Sequence, residues 1–254
     1  NVSGENAEVI SITKPGSEIH GYQPTPKDIA KTVGADIIVS NGFNLEVWFN
    51  QFYSNFSNIK NIVLTKGVNP ISIGQGDYKG DPNPHAWMSL DNIFIYIDNI
   101  VDGLSEVDPS NKMSYESNAQ NYKKRIKELV YPLRKKIREL PENKRWLVTC
   151  EGAFSYLADD LYLNELYLWP INSESISKPK QIKKIVDTIK KNKVSAVFCE
   201  STVSQTPAKE LARQTNTKYG GVLYVDSLTN EDGKVPTYLD LIKVTSQTIF
   251  EGLK

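Results

Sequence analysis

The sequence has 254 residues, in which 30 basic and 30 acidic side chains cancel, and 39% of its residues are hydrophobic. The charge balance excludes a global field that would attract nucleic acid or an anionic membrane, and the hydrophobic fraction is typical of a globular protein. No apolar run approaches the ~20 residues that a membrane-spanning helix needs.

Short β-rich runs alternate along the chain with helical patterns. The runs are almost continuously apolar, which is typical of parallel strands that are covered on both faces. Strands are predicted at residues 8–13, 36–40, 61–65, 145–150, 166–169, 195–199 and 222–226. Strands that alternate with helices favour an α/β fold.

Two of the predicted helices have recognisable starts. Thr25 is the expected N-cap of the first, because Pro26 follows it at the first helical position. Ser89 is the expected N-cap of the second. That helix carries an apolar face made of Ile93, Ile97, Ile100, Val101 and Leu104.

Residues 112–140 read as one long helix. Apolar residues recur along it at steps of three and four, and ~29 residues would span roughly 43 Å. Pro132 is expected to kink this helix rather than end it, since the apolar stripe continues beyond it. Two interpretations are open: a surface helix of one domain, or a spine that joins two α/β lobes. The position near mid-chain, with strands on both sides, favours the spine.

Side chains that can bind metals fall close to the predicted carboxyl ends of strands, where open α/β sheets bind ligands. They are His20, His85, Glu151, Glu200 and Asp226. Both histidines of the chain lie in loops that contain glycine or proline. Each residue also has a structural interpretation: a hydrogen-bonded loop histidine, or a carboxylate that caps a helix or begins a turn. None of them decides the function alone.

The two cysteines, Cys150 and Cys199, lie inside apolar runs. They do not form the framework typical of small disulfide-rich domains. We expect buried free thiols, with a disulfide or a metal-binding role as the alternatives.

A series of longer motifs occurs in a characteristic order. It comprises "EIHGYQPTPKDI", "NGFNLEVWF", "PNPHAWMSLDN", "RWLVTCEGAFSYLADD", "LYLWPINSES", "CESTVSQTPAKELA" and "GGVLYVDSL". The sequence thereby resembles the substrate-binding receptors of ABC importers for manganese, iron and zinc, and is most similar to their periplasmic manganese/iron branch. The resemblance covers nearly the whole chain.

The resemblance implies a fold of two α/β lobes, each with a mainly parallel sheet flanked by helices, joined by one long rigid helix. The lobes are then expected at residues 1–111 and 141–254, with residues 112–140 as the linking helix. Receptors of this family begin with a strand and a helix ahead of the region of residues 8–13. Either residues ahead of this sequence supply them, or the first lobe lacks that strand and helix, which is the expectation here.

The resemblance also implies a metal site between the lobes, with two protein ligands from each. Matched motif by motif, the ligands are His20, His85, Glu151 and Asp226, whereas Glu200 is expected nearby as a supporting group. Two neutral imidazoles and two carboxylates almost neutralise a divalent cation. Oxygen-rich ligation favours Mn²⁺ or Fe²⁺, although Zn²⁺ has the higher intrinsic affinity. The segment before His85 also lacks the histidine-rich loop found in many zinc receptors of this family.

The expected partner is the membrane permease of the importer, and we expect a periplasmic monomer that does not bind nucleic acid. The main alternative is a metalloenzyme that uses a site of two histidines and a carboxylate. Against it, the sequence has no HExxH and no GxSxG motif, and four protein ligands tend to close the coordination shell. A metal-independent binding or adhesion protein is the second alternative.

Overall fold

The computed structural model describes residues 1–171 and 179–254. Its strands are β1 (Ile37–Ser40), β2 (Lys60–Val63), β3 (Trp146–Glu151), β4 (Asn164–Trp169), β5 (Ala196–Glu200) and β6 (Lys218–Leu223). Its helices are α1 (Pro26–Thr32), α2 (Phe49–Tyr53), α3 (Leu90–Val107), α4 (Lys112–Arg138), α5 (Ser155–Leu161), α6 (Pro179–Asn192), α7 (Thr206–Thr215) and α8 (Tyr238–Leu253). No helix in these two ranges is both long enough and apolar enough to cross a bilayer.

The strands form two parallel sheets, one in each lobe. The first sheet pairs β1 with β2, and the second has the order β4-β3-β5-β6. Helices flank both sheets, so the predicted architecture of two α/β lobes is confirmed. Glu151 and Glu200 are the last residues of the two central strands of the second sheet, and parallel pairing brings these carboxyl ends together.

The predicted strand at residues 8–13 is wrong. This segment is a loop, and the Lys31 ammonium donates hydrogen bonds to the carbonyls of Ser11 and Ile12. Val9 and Ile10 are exposed, although their β-branched side chains favour a strand. Strand propensity alone forms no strand unless the backbone pairs with a neighbour, and β1 and β2 pair with each other.

The last strand lies earlier than predicted, ending at Leu223 rather than at residue 226. Its register shifts where it passes β5 between Val197 and Phe198. Gly220 is required there, because a Cβ would lie 2.3 Å from the Phe198 ring. Asp226 therefore stands on the loop beyond the strand rather than at its end.

The predicted long helix is confirmed as α4, which has 27 residues and does not end at Pro132. It packs against both α3 and α8. Pro132 is exposed, so the backbone acceptor that it leaves unpaired can face solvent. The buried face of α4 comprises Tyr115, Ala119, Tyr122, Ile126, Val130, Arg134 and Ile137.

The largest apolar core runs along α4 and contains residues of both lobes. Ile97 of α3, Leu157 of α5 and Ile249 of α8 all belong to it, together with Ile126 of α4. A second cluster covers the other face of the C-terminal sheet. A shared core of this kind resists independent movement of the two lobes, since close-packed interiors do not deform continuously.

The expectation of free thiols is wrong, because Cys150 and Cys199 form a disulfide. The reason lies in the strand order. Val148 of β3 pairs with Val197 of β5, so the residues two positions further on lie side by side on the same face. The bond joins the two strands immediately before Glu151 and Glu200.

The disulfide closes a separation of 49 residues, which stabilises the fold by about 4 kcal/mol in the chain-entropy model. We expect the double substitution Cys150→Ala/Cys199→Ala to lower the free energy of unfolding by roughly that amount in urea titrations. The unsubstituted protein in reducing agent should approach the variant, and the variant should not respond to the reductant. Equal unfolding midpoints for the variant and the oxidised protein would contradict this expectation.

Candidate metal centre

The structure brings the four predicted ligand residues together in the cleft between the lobes. Nε2 of His20 lies 3.3 Å from Oε1 of Glu151, and Nε2 of His85 lies 3.8 Å from the same oxygen. On its other side, His85 Nε2 lies 3.2 Å from Oδ1 of Asp226. The two imidazole rings are 5.3 Å apart, edge to face. The donor atoms of His20, His85 and Glu151 all lie within 4.8 Å of one another, and Asp226 joins this cluster through His85.

The atoms that face one another are buried and have no hydrogen-bond partner within the described ranges. They are Nε2 of His20, Nε2 of His85, Oε1 of Glu151 and Oδ1 of Asp226. A buried polar atom without a partner is costly, and four in one place are not explained by packing. Imidazole nitrogen and carboxylate oxygen are donor atoms for divalent transition metals. The donor set therefore fits a metal cation.

The His20 loop is held by hydrogen bonds to Glu18 and from Trp48. The Glu18 carboxylate accepts the backbone N–H groups of His20 and Gly21, both at 2.7 Å. The Trp48 indole donates to the carbonyl of Ile19 at 3.0 Å. These bonds fix the loop whose Pro24 and Pro26 already restrict the backbone.

Asn83 orients His85 and ties it to the other lobe. The Asn83 amide oxygen accepts Nδ1–H of His85 at 2.8 Å, which leaves the Nε2 lone pair free to face the cleft. The amide nitrogen of Asn83 donates to the carbonyl of Gly152 at 2.6 Å. Tyr156 donates to the carbonyl of Asn83 at 2.8 Å. One buried side chain thus joins the loop of His85 to the turn that follows Glu151.

Asp226 is held by contacts from both lobes. The indole of Trp87 donates to the carbonyl of Val225 at 3.2 Å, and the hydroxyl of Thr202 lies 3.5 Å from Oδ2 of Asp226. Trp87 follows His85 by two residues, so the same loop positions a histidine and the backbone beside a carboxylate.

The charges of the cluster shift the pKa values of His20 and Asp226. Burial alone would lower the pKa of His20, but the hydrogen bond and charge of Glu151 outweigh it and raise this pKa to about 9. Burial would raise the pKa of Asp226, whereas the charge of His85 lowers it, and the net direction is downward. The carboxylates thus favour a positive charge at this position.

Glu200, the fifth candidate, lies beside the cluster. Its Oε2 accepts the backbone N–H of Glu151 at 3.2 Å, and its Oε1 has no partner among the described residues. Complete burial raises its pKa well above the usual range, and the charge of Glu151 adds to this. Glu200 therefore supports the backbone of Glu151 next to the cluster.

A buried ion pair holds the start of α3 close to this cluster. Arg134 of α4 pairs with Asp160 of α5, and it also donates to the carbonyl of Met88. The same Asp160 carboxylate accepts the backbone N–H of Leu90 at 2.9 Å and lies 3.3 Å from the Ser89 hydroxyl. The first turn of α3 is therefore capped by a residue of the other lobe.

Several supporting residues were not found from the sequence. Asn83, Trp87 and Asp160 lie inside the motifs that carried the resemblance, but their roles depend on contacts across the cleft. The sequence signal that could have found Asn83 is its position two residues before a histidine in a proline-rich loop. No comparable signal marks Arg134, a basic residue among many in α4.

Comparison with known proteins identifies the family. A family model described as "Zinc-uptake complex component A periplasmic" (ZnuA) matches residues 1–252. The chain belongs to this family. The iron-binding protein YfeA of Yersinia pestis is 51% identical over 252 residues, which cover 99% of this chain and 81% of that protein. The metal ABC transporter substrate-binding lipoprotein SsaB of Streptococcus sanguinis is 35% identical over 260 aligned positions, covering 100% of this chain and 84% of SsaB.

Solved structures agree in fold. The Mn-bound periplasmic metal binding protein of Candidatus Liberibacter asiaticus superposes with a TM-score of 0.93 at 41% identity, covering 100% of this chain and 94% of that chain. The periplasmic zinc binding protein TroA of Treponema pallidum has a TM-score of 0.91 at 20% identity, covering 100% and 93%, which is a likeness of fold. Members of the family are substrate-binding proteins of ABC transporters and not enzymes, so the metalloenzyme alternative is set aside.

Asp160→Ala tests the ion pair that caps α3. Removing the carboxylate leaves Arg134 buried without its partner, which costs about 3–5 kcal/mol. We expect the free energy of unfolding in urea to fall by this amount, whereas the neighbouring exposed Asp159→Ala should change it by less than ~0.5 kcal/mol. Equal effects of the two substitutions would show that the ion pair does not hold the lobes together.

Proposed function

We propose that His20, His85, Glu151 and Asp226 bind one divalent transition-metal ion, Mn²⁺ or Fe²⁺ with Zn²⁺ as a further cargo, for delivery to an ABC importer. The observation that carries the proposal is the convergence of four buried donor atoms, one from each residue, that have no hydrogen-bond partner in the part of the chain that the structure describes. A bound cation would be the common partner of all four.

The charge of the donor set supports a divalent cargo. Two carboxylates balance two positive charges, and the neutral imidazoles add donor atoms without adding charge. Carboxylates can also bind through both oxygens, which suits metals that take more than the four ligands typical of structural zinc. Because Zn²⁺ stands above Mn²⁺ and Fe²⁺ in intrinsic affinity, it is expected to bind tightly in vitro as well.

The metals named for relatives of this chain include iron and manganese, two of the proposed cargoes. YfeA is an iron-binding protein, PsaA of Streptococcus anginosus belongs to a manganese ABC transporter, and the Liberibacter protein has been solved with Mn and with Cd. The family is periplasmic. We infer that this chain acts there as a monomer that passes its metal to the permease of the importer.

We further propose that residues 1–111 and 141–254 act as two lobes that move little about the linking helix of residues 112–140. Three contacts across the cleft support limited motion: Asn83 to Gly152, Trp87 to Val225, and Asp160 to Leu90. Each would have to break before the lobes could separate widely. Release is then expected to involve shifts of the loops that carry the ligands.

His85→Ala tests the metal site. A ligand at 100 times its Kd stabilises the native state by about 2.7 kcal/mol, so Mn²⁺ should raise the melting temperature of the unsubstituted protein. The variant, which lacks one of the four donors, should lose most of this shift, with a Kd for Mn²⁺ weakened by at least ~10–100-fold.

The matched control is Asp102→Ala, at an exposed position of α3, which should keep the full shift. The melting temperature of each variant without metal shows whether it folds. An undiminished Mn²⁺ shift in His85→Ala would contradict the proposed site.

Hydrogen exchange with and without Mn²⁺ tests the limited motion. We expect changes in protection to be confined to the loops around His20 and His85, the turn after Glu151 and the loop of Asp226. The amides in the middle of α4 should exchange at equal rates in both states, because its buried face stays packed in the shared core. Changes spread through α4 and both sheets would show a wide hinge motion instead.

A further inference from the structure

A chain of hydrogen bonds leads from His85 away from the metal site to a carboxyl group in the other lobe. Nδ1–H of His85 donates to Asn83, and the amide nitrogen of Asn83 lies 3.2 Å from the Ser155 hydroxyl, to which it donates. That hydroxyl donates to Oε2 of Glu165 at 2.7 Å. Every donor points in the same direction, from the imidazole towards the carboxylate, so each bond polarises the next.

Glu165 carries a buried carboxyl group with no cationic partner among the described residues. Its carboxyl accepts hydrogen bonds from Ser155 and from the backbone of Phe154, both at the start of α5, while Oε1 is shielded from solvent and unpartnered among the described residues. No described lysine or arginine of β3, α5, α6 or any other element forms an ion pair with it. Burial raises the pKa of Tyr167 on the same strand, and the charge of Glu165 raises it further.

We propose that Glu165 is a positioning residue for metal capture: its carboxylate acts through Ser155 and Asn83 to hold His85 in the tautomer and orientation that turn Nε2 towards the ion. This inference rests on the proposed function. It assigns to a residue outside the cluster, and contacting none of the four ligands, a part in setting the affinity of the site.

The ionised carboxylate strengthens the chain because a hydrogen bond to a charged acceptor is about twice as strong as a neutral one. Burial raises the pKa of Glu165 to about 7, although the bonds from Ser155 and Phe154 oppose it. The folded protein thus holds this proton more tightly than the unfolded chain, whose glutamate has a pKa near 4.5. Ionised Glu165 therefore costs stability as the pH rises from about 4.5 through 7, so stability does not explain its presence.

Glu165→Gln tests the proposal through the pH dependence of Mn²⁺ binding. Partners that orient metal ligands contribute 10–100-fold to affinity when they contact the ligand directly, and Glu165 is two residues further away. We expect the variant to bind Mn²⁺ about 3–10-fold more weakly than the unsubstituted protein at pH 8. At pH 6, where Glu165 is itself mostly protonated, the ratio of the two Kd values should approach one.

Two further variants separate this role from a structural one. Ser155→Ala interrupts the chain, so Glu165→Gln should cause no additional loss in the Ser155→Ala background. The exposed Glu231→Gln should match the unsubstituted protein at both pH values. An equal loss at pH 6 and pH 8, or additive losses in the double variant, would overturn the proposal.

A measurement without metal separates this proposal from the proposed function. The chain has two histidines, so ¹⁵N-histidine spectra of the metal-free protein contain signals from two rings, and a His20→Gln variant assigns them. We expect Glu165→Gln to change the Nδ1 chemical shift of His85 at pH 8 and to change it much less at pH 6. If this difference is present while Mn²⁺ fails to bind, the proposed function fails and the coupling stands. If it is absent, the coupling fails whatever the metal affinity.

Discussion

The structure depends on keeping four buried donor atoms close together without allowing them to satisfy one another. Oε1 of Glu151 lies 3.3 Å from Nε2 of His20 and 3.8 Å from Nε2 of His85, which lies 3.2 Å from Oδ1 of Asp226. None of these atoms has a hydrogen-bond partner in the described ranges. Such an arrangement costs free energy in the protein alone. The surrounding scaffold must therefore supply the rigidity that keeps it from collapsing or filling with water.

That rigidity comes from contacts that cross between the lobes. Asn83 joins the loop of one histidine to the turn after a carboxylate, and Asp160 caps α3 while pairing with Arg134 of the long helix. The disulfide joins β3 and β5 just before their carboxyl ends. These features share one effect, since each holds fixed a backbone segment that carries a donor, and ligands already in place lose less entropy on binding.

Local patterns predicted much of the fold. The apolar runs placed five strands correctly, and the three-four spacing predicted α4 as one helix because packing on a continuous face needs no knowledge of the partner. The predictions of a strand at residues 8–13 and of free thiols were wrong for one reason. Both features depend on which strands are neighbours in the sheets. The four residues of the site came from motif resemblance, whereas Asn83 and Asp160 act across the cleft and could not be placed without the tertiary structure.

The amide of Asn83 makes the orientation of His85 depend on the position of the opposite lobe. Its amide nitrogen donates to Gly152 of the opposite lobe, while its oxygen accepts both the backbone N–H and Nδ1–H of His85. One end of this side chain therefore follows the opposite lobe and the other end holds the imidazole. Any shift of the lobes that broke the bond to Gly152 would loosen the hold on the ring whose Nε2 faces the ion.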